Sequence, residues 1–198
     1  FDHIHVSTDD DKIAQAATEA GAPPLFRRDP KLADDHTPIR DVVSSDLGRF
    51  TSGEGGFISK GGAFTSIALV YATAVLIEAA DLRQAMKAFE DQPDKPLLAV
   101  VDSGTPLERL MVEDAGILRP ALPANYANRT QDLTPAYRDA GAFAIFPAAT
   151  LEADSDGASA LDFRPFVLPR WKGVDIDTEE DWRFAELIKA GLTALEGA

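Results

Sequence analysis

The sequence contains no cysteine. Neither a disulfide framework nor a thiolate-held metal is open to it, which fits a reducing compartment; a cytoplasmic protein is the expectation. Long apolar runs are missing too, so no membrane-spanning helix is expected. Positive charge is scarce: nineteen Lys and Arg stand against thirty-three Asp and Glu, a formal net charge of -14. A surface with that balance repels nucleic acid and anionic lipid, so neither is an expected partner. A small anionic ligand is still allowed, because a cleft can be locally positive or can hold a metal ion. Histidine numbers only three. His3 and His5 share a face if their segment is a strand, but no third zinc ligand lies near them in sequence. His36 falls in a polar turn.

What is present suits an ordinary soluble domain: 198 residues, 45% hydrophobic and 26% charged. That is enough chain for one full core, and a single domain over 1–198 is the expectation. His3-Ile4-His5-Val6 reads as a strand already in the middle of a fold. Ser7-Thr8 and three aspartates follow, well placed at the positive end of a helix. Ile13, Ala16, Ala17 and Ala20 recur at helical spacing, and Gly21 supplies the stop. Thr37–Phe50 reads as a helix with Pro38 in its first turn. Thr51–Gly62 holds five of the fourteen glycines and reads as a flexible connector. Ser66–Thr73 is a near-continuous apolar run, the mark of a strand covered on both faces. Leu82, Ala85, Met86 and Phe89 form a helical stripe, and Leu97–Val101 a second buried strand. After Gly104 the alternation breaks. From Thr105 to Tyr137 no period is sustained and prolines fall at 106, 120, 123 and 135, so 105–137 reads as an insertion. Strands return at Ala142–Phe146 and Arg164–Leu168. A closing helix from Glu179 carries the stripe Trp182, Ala185, Ile188, Leu192 and Leu195. Strands alternating with helices predict an α/β fold with a mostly parallel sheet covered on both faces.

Two stretches carry chemistry. In Val174-Asp175-Ile176-Asp177-Thr178-Glu179-Glu180-Asp181-Trp182, an extended backbone points residues two apart the same way. Asp175 and Asp177 would then present two carboxylates to one point. Such a pair suits Mg²⁺, which takes one or two carboxylates and fills its shell with water and phosphate oxygens. The same run reads equally as a helix start, with Thr178 as cap and the acids favoured by the dipole. Both can hold at once. The second stretch, Arg129 to Gly141, is rich in guanidinium and amide groups and leads straight into a buried strand. Such groups suit a carboxylate and several hydroxyls, although composition alone favours a solvated loop.

These stretches, with Val6-Ser7-Thr8-Asp9-Asp10, Arg28 to Thr37 and Tyr71-Ala72-Thr73-Ala74, occur in one order over nearly the whole chain. In them the chain resembles the acylneuraminate cytidylyltransferase family, and Arg129–Phe143 looks most like its pseudaminic acid branch. The resemblance implies a three-layer α/β/α sandwich of the nucleotide-diphospho-sugar transferase type, with its site at the strand C-terminal ends. It implies CTP and an acidic sugar as substrates, and Asp175 and Asp177 as the carboxylates that hold Mg²⁺ against the α-phosphate. Arg28, Tyr71 and Thr73 match positions near the nucleotide. Arg129, Gln131, Tyr137 and Asp139 match the stretch that faces the sugar. Residues 105–137 match the region through which these enzymes pair as homodimers.

Departures from the family pattern stand beside these matches. The family opens with a strand and a Gly- and Lys/Arg-rich loop around the triphosphate, and nothing in this chain matches them. Gly53–Gly62 does not replace them. Ile58 stands where a phosphate loop needs a glycine, and Lys60 precedes Gly61 instead of following a glycine. Val75 occupies the family's proline position. The resemblance thus implies a sequence lacking the first strand and phosphate loop, with little turnover from these 198 residues by themselves. Two other readings remain at this level. One is a sister enzyme acting on N-acetylneuraminate. The other is a non-catalytic dimeric homologue, against which the Asp175–Asp177 pair argues.

Overall fold

A computed structural model describes residues 1–53, 64–152 and 162–196. Most of the glycine-rich connector lies outside them. The chain divides into two compact units, one of residues 1–67 with 146–160 and one of residues 68–145 with 161–198. Among the described residues, no helix is long and apolar enough to cross a membrane.

In the first unit, helix α1 runs Asp11–Glu19. Its cap is Asp10, whose carboxylate accepts from the Lys12 and Ile13 N–H groups at 2.7 and 2.9 Å. The helix stops where the sequence puts a glycine. Gly21 has φ +84°, and the Gly21 and Ala22 N–H groups reach back to the Thr18 and Ala17 carbonyls. Residues His3–Val6, expected to be a strand, are assigned to no sheet. Helix α2, Ile39–Thr51, buries Val42 and Leu47. It is tied to the short helix α4, Ala148–Glu152, by the Ser44 hydroxyl on the Leu151 carbonyl at 2.9 Å. His5, Phe26 and Phe50 stack at centroid separations of 4.5 to 5.1 Å.

The second unit carries the larger core. Strand β1, Ser66–Val70, is followed by α3, Ala79–Glu90, then β2, Leu97–Asp102. A two-stranded hairpin follows, β3 Met111–Asp114 and β4 Ile117–Pro120. Then come β5, Tyr137–Pro147, β6, Arg164–Leu168, and α5, Glu179–Glu196. The main sheet has the order β1-β5-β2-β6. It is mixed, where the sequence predicted a mostly parallel sheet: β6 runs parallel to β2, but β5 runs antiparallel to it. The physical reason lies in the connection. The irregular 105–137 segment ends beside the point where β2 ends, with Asp102 paired to Tyr137, so the returning strand must run the other way.

The α3 stripe does what its spacing predicts. Ala85 and Phe89 pack with Leu97, Ala99, Val101, Phe143, Ile145 and Leu168 in one buried cluster. On α5 only part of the predicted stripe is buried. Ala185 and Ile188 join a small cluster with Leu76, Val174 and Ile176. Trp182 and Leu195 are 51% and 77% exposed. Strand β1 is also less covered than its apolar run predicts, with Val70 exposed. Within 105–137 the hairpin turn is Ala115-Gly116, both at positive φ, which matches the right-handed strand twist.

Two outcomes follow from this packing. Phe89 is 2% exposed in the main cluster, so Phe89→Ala should lower unfolding free energy by about 3–5 kcal/mol in urea titration. In the first unit, burial foremost holds the His5 imidazole below its ordinary 6.5, helped by His3, Arg49 and Arg28 and opposed by Asp46. The unfolded chain therefore takes up this proton first as pH falls. The stability His5 contributes is whole above pH 6.5 and is lost as pH falls towards the lowered folded value. Denaturation curves across that range should show the loss, and His5→Phe should flatten it.

Candidate active site

The run from Arg170 to Asp181 is built against the second unit's sheet. A 3-10 turn at Arg170–Lys172 leaves β6. Gly173 follows, and a Cβ there would lie 2.6 Å from a Val101 methyl. Only a glycine lets the backbone lie this close to β2. Beyond it Val174 and Ile176 turn into the Leu76–Ala185 cluster. Asp175 and Asp177, one residue apart from them, are exposed. The alternation predicted from the sequence is therefore present, with apolar residues in and acids out.

The helix-start reading of the same run also holds. The Thr178 hydroxyl accepts from the Asp181 N–H at 3.3 Å, and the Asp181 carboxylate accepts from the Thr178 N–H at 2.8 Å. This reciprocal pair is a capping box. The Thr178 hydroxyl and N–H and the Asp177 N–H hold the Asp181 carboxyl below its usual range. Asp181 thus serves the helix, and the carboxylates of Asp175 and Asp177 lie ahead of it.

Strand β5 lies beside this run. Its register with β2 slips between Leu98 and Val100: Leu98 faces Ala144 while Val100 faces Asp139. The extra residues form a bulge, and Gly141 within it has φ +59°. Asp139 Oδ1 accepts from the Gly141 N–H at 2.9 Å. A Cβ on Gly141 would sit 2.5 Å from Asp175 Oδ1, so the missing side chain makes room for that carboxylate. Tyr71, just past β1, donates its N–H to the Ala142 carbonyl at 3.0 Å. Burial first, then the charges of Asp139 and Asp175, raises its phenol pKa. The Asp175 carboxyl is raised as well, by burial first and then by Asp177 and Asp139, with Arg138 acting against them.

Tyr71, Asp139 and Asp175 thus gather around Gly141 and Ala142, and Asp177 acts on the Asp175 charge. Thr73 is in the turn after Tyr71, its carbonyl accepting from the Val75 N–H at 2.8 Å. Tyr137 opens β5 opposite Asp102 and is half exposed. Arg129 and Gln131 face one another across an exposed 3-10 turn. Arg28 belongs to the first unit, where its guanidinium donates to the Ser7 hydroxyl and carbonyl at 3.0 and 2.7 Å. Sequence reasoning passed over Arg138, Gly141 and Lys172. Arg138 and Gly141 stood inside the polar stretch already singled out. Nothing in the sequence marked Lys172.

The clustered carboxylates suit a divalent cation, because crowded negative charge with one nearby guanidinium is relieved by metal. Among the described residues, no three His, Asp or Glu side chains could hold a metal ion by themselves. Two carboxylates would leave the rest of a Mg²⁺ shell to water and phosphate oxygens, as that ion ordinarily keeps it.

No family model matches the sequence. Curated proteins do match it. The chain is 32% identical over 194 residues to a pseudaminic acid cytidylyltransferase of Campylobacter jejuni serotype O:2, covering 95% of this chain and 78% of that protein. The same figures hold for the protein of that name from serotype O:23/36. A post-translational flagellin modification protein B of Campylobacter coli is 26% identical over 189 residues, covering 95% and 77%. The chain belongs to the acylneuraminate cytidylyltransferase family.

The glycine at 141 has a measurable consequence. Gly141→Ala should destabilise by about 1 kcal/mol or more, since both φ and the Asp175 contact oppose a methyl. Gly48→Ala in α2 meets no atom within 4 Å and should stabilise by about 0.5–1 kcal/mol. Urea unfolding of the two variants tests the contrast.

Proposed function

We propose that this protein transfers CMP from CTP to an acidic nonulosonic sugar, with pseudaminic acid the substrate, and releases diphosphate. What supports this reading is the pair of exposed aspartates Asp175 and Asp177, with Asp139 also acting on the Asp175 charge, in a chain of this family. The reaction joins two anions. A sugar hydroxyl attacks the α-phosphorus of CTP, and the chain must align the partners and offset their charge. Asp175 and Asp177 would hold Mg²⁺, which when bound would supply positive charge to the phosphate being transferred. Asp139, anchored by its bond from the Gly141 N–H, accepts from sugar hydroxyls. Tyr71 and Thr73 border the nucleotide, and Arg28 meets its phosphates. Arg129, Gln131 and Tyr137 supply further donors to the sugar.

The fold that this reading needs follows the family pattern, a three-layer α/β/α sandwich. Residues 105–137 form the homodimer contact. Their exposed apolar side chains, Met111, Val112, Ile117 and Leu118 on the hairpin among them, support that role. Use of CTP puts the enzyme in the cytoplasm.

In the full-length protein, Asp177→Asn should abolish diphosphate release in a coupled assay with CTP, Mg²⁺ and pseudaminic acid, with Tm nearly unchanged. A large drop in Tm would instead assign Asp177 to the helix start. Parallel assays with pseudaminic acid and N-acetylneuraminic acid decide the sugar, and faster release with the second would overturn the choice made above.

A further inference from the structure

Lys172 has no part in the chemistry described so far, yet it is the buried cation of this region. Its side chain is 6% exposed. The ammonium donates to Asp81 Oδ2 at 2.6 Å and to Glu78 Oε2 at 3.3 Å. Both acids sit at the start of α3. Glu78 is the N-cap, and the Asp81 carboxylate also accepts from the Glu78 N–H at 2.8 Å. One ammonium therefore joins the 3-10 turn after β6 to the first turn of α3. Burial works against its charge, but the bonds to Asp81 and Glu78 win, and its pKa stands above the ordinary value.

A buried ion pair is a costly way to gain stability, since desolvation offsets most of the attraction. Its better attested use is to fix one geometry among several. The place of Lys172 in the chain suits that use. Three residues on is Asp175. Between them Gly173 is pressed on Val101, and its carbonyl accepts from Arg138 Nη2 at 2.5 Å. The segment is thus held at Lys172, at Gly173 and, through the cradle at Gly141, at Asp175.

We propose that Lys172 is a positioning residue. By locking the Arg170–Lys172 turn onto α3, it sets where residues 173–177 lie and so where Asp175 and Asp177 present their carboxylates. Lys172 touches neither substrate nor metal in this scheme. The part that concerns the carboxylates as metal ligands rests on the function proposed above. The part that concerns the segment's position does not.

The experiment compares the wild-type chain with Lys172→Met and Lys172→Arg, using amide hydrogen exchange and Mn²⁺ binding. In Lys172→Met the amides of 173–177 should exchange about tenfold faster or more, with β2 and β5 protection kept. Mn²⁺ should bind about tenfold more weakly or worse, as for loss of an outer-shell partner. Lys172→Arg, which keeps the charge, should recover most of both. A folded Lys172→Met with wild-type exchange at 173–177, or with faster exchange spread evenly over the sheet, overturns the proposal. Should that variant not fold, Glu78→Gln is read by the same two criteria, a local rise in exchange supporting the proposal and a uniform or absent one overturning it. If the wild-type protein takes up no Mn²⁺, the metal reading of Asp175 and Asp177 fails, while the exchange comparison still decides the role of Lys172.

Discussion

The candidate site depends on backbone seating. The segment after β6 lies against β2 at Gly173 and brings Asp175 against β5 at Gly141. Neither approach leaves room for a Cβ. Gly141 also needs its positive φ, which L side chains rarely adopt. Seated this way, an extended run five residues long faces two ways. Val174 and Ile176 bury apolar surface against Leu76 and Ala185, and that burial holds Asp175 and Asp177 outward. The acids are displayed because their neighbours are hydrophobic.

The seating also creates an electrostatic load. Partial loss of solvent disfavours the charged form of Asp175 most, although its side chain is exposed, and Asp177 and Asp139 add to that. Arg138 eases this from the same strand that carries Asp139. Nearby, Lys172, Asp81 and Glu78 form a separate set in which opposite charges meet at hydrogen-bond distance. The two sets differ in kind. The paired set fixes structure, and the carboxylate-rich set is short of positive charge.

Much of this is legible in the sequence. Ala85 and Phe89 lie where helical spacing puts them. The Gly21 stop ends α1, and the Thr178 cap is made by Thr178. In Val174–Trp182 the helix cap uses Asp181 and leaves Asp175 and Asp177 outside it. Other features were not legible. Trp182 shares the helical phase of Ala185 but is exposed, since spacing gives a face and not the extent of what covers it. His3–Val6 has an alternating pattern yet lies in no sheet, because alternation states which faces are apolar and not whether a partner strand is present. The antiparallel course of β5 followed from how the 105–137 segment returns, which no local pattern encodes.

The sequence by itself determined the α/β class, the main helical faces, the family resemblance and the two aspartates one residue apart. These are local properties, set by the spacing of side chains on a regular backbone. Only the tertiary structure decided that Asp139 and Tyr71 join those aspartates, that Gly141 makes room for Asp175, and that Lys172 ties the segment to α3. Each of these joins residues dozens of positions apart. Such contacts depend on strand direction, register and a bulge, and those are fixed by the packing of the whole unit.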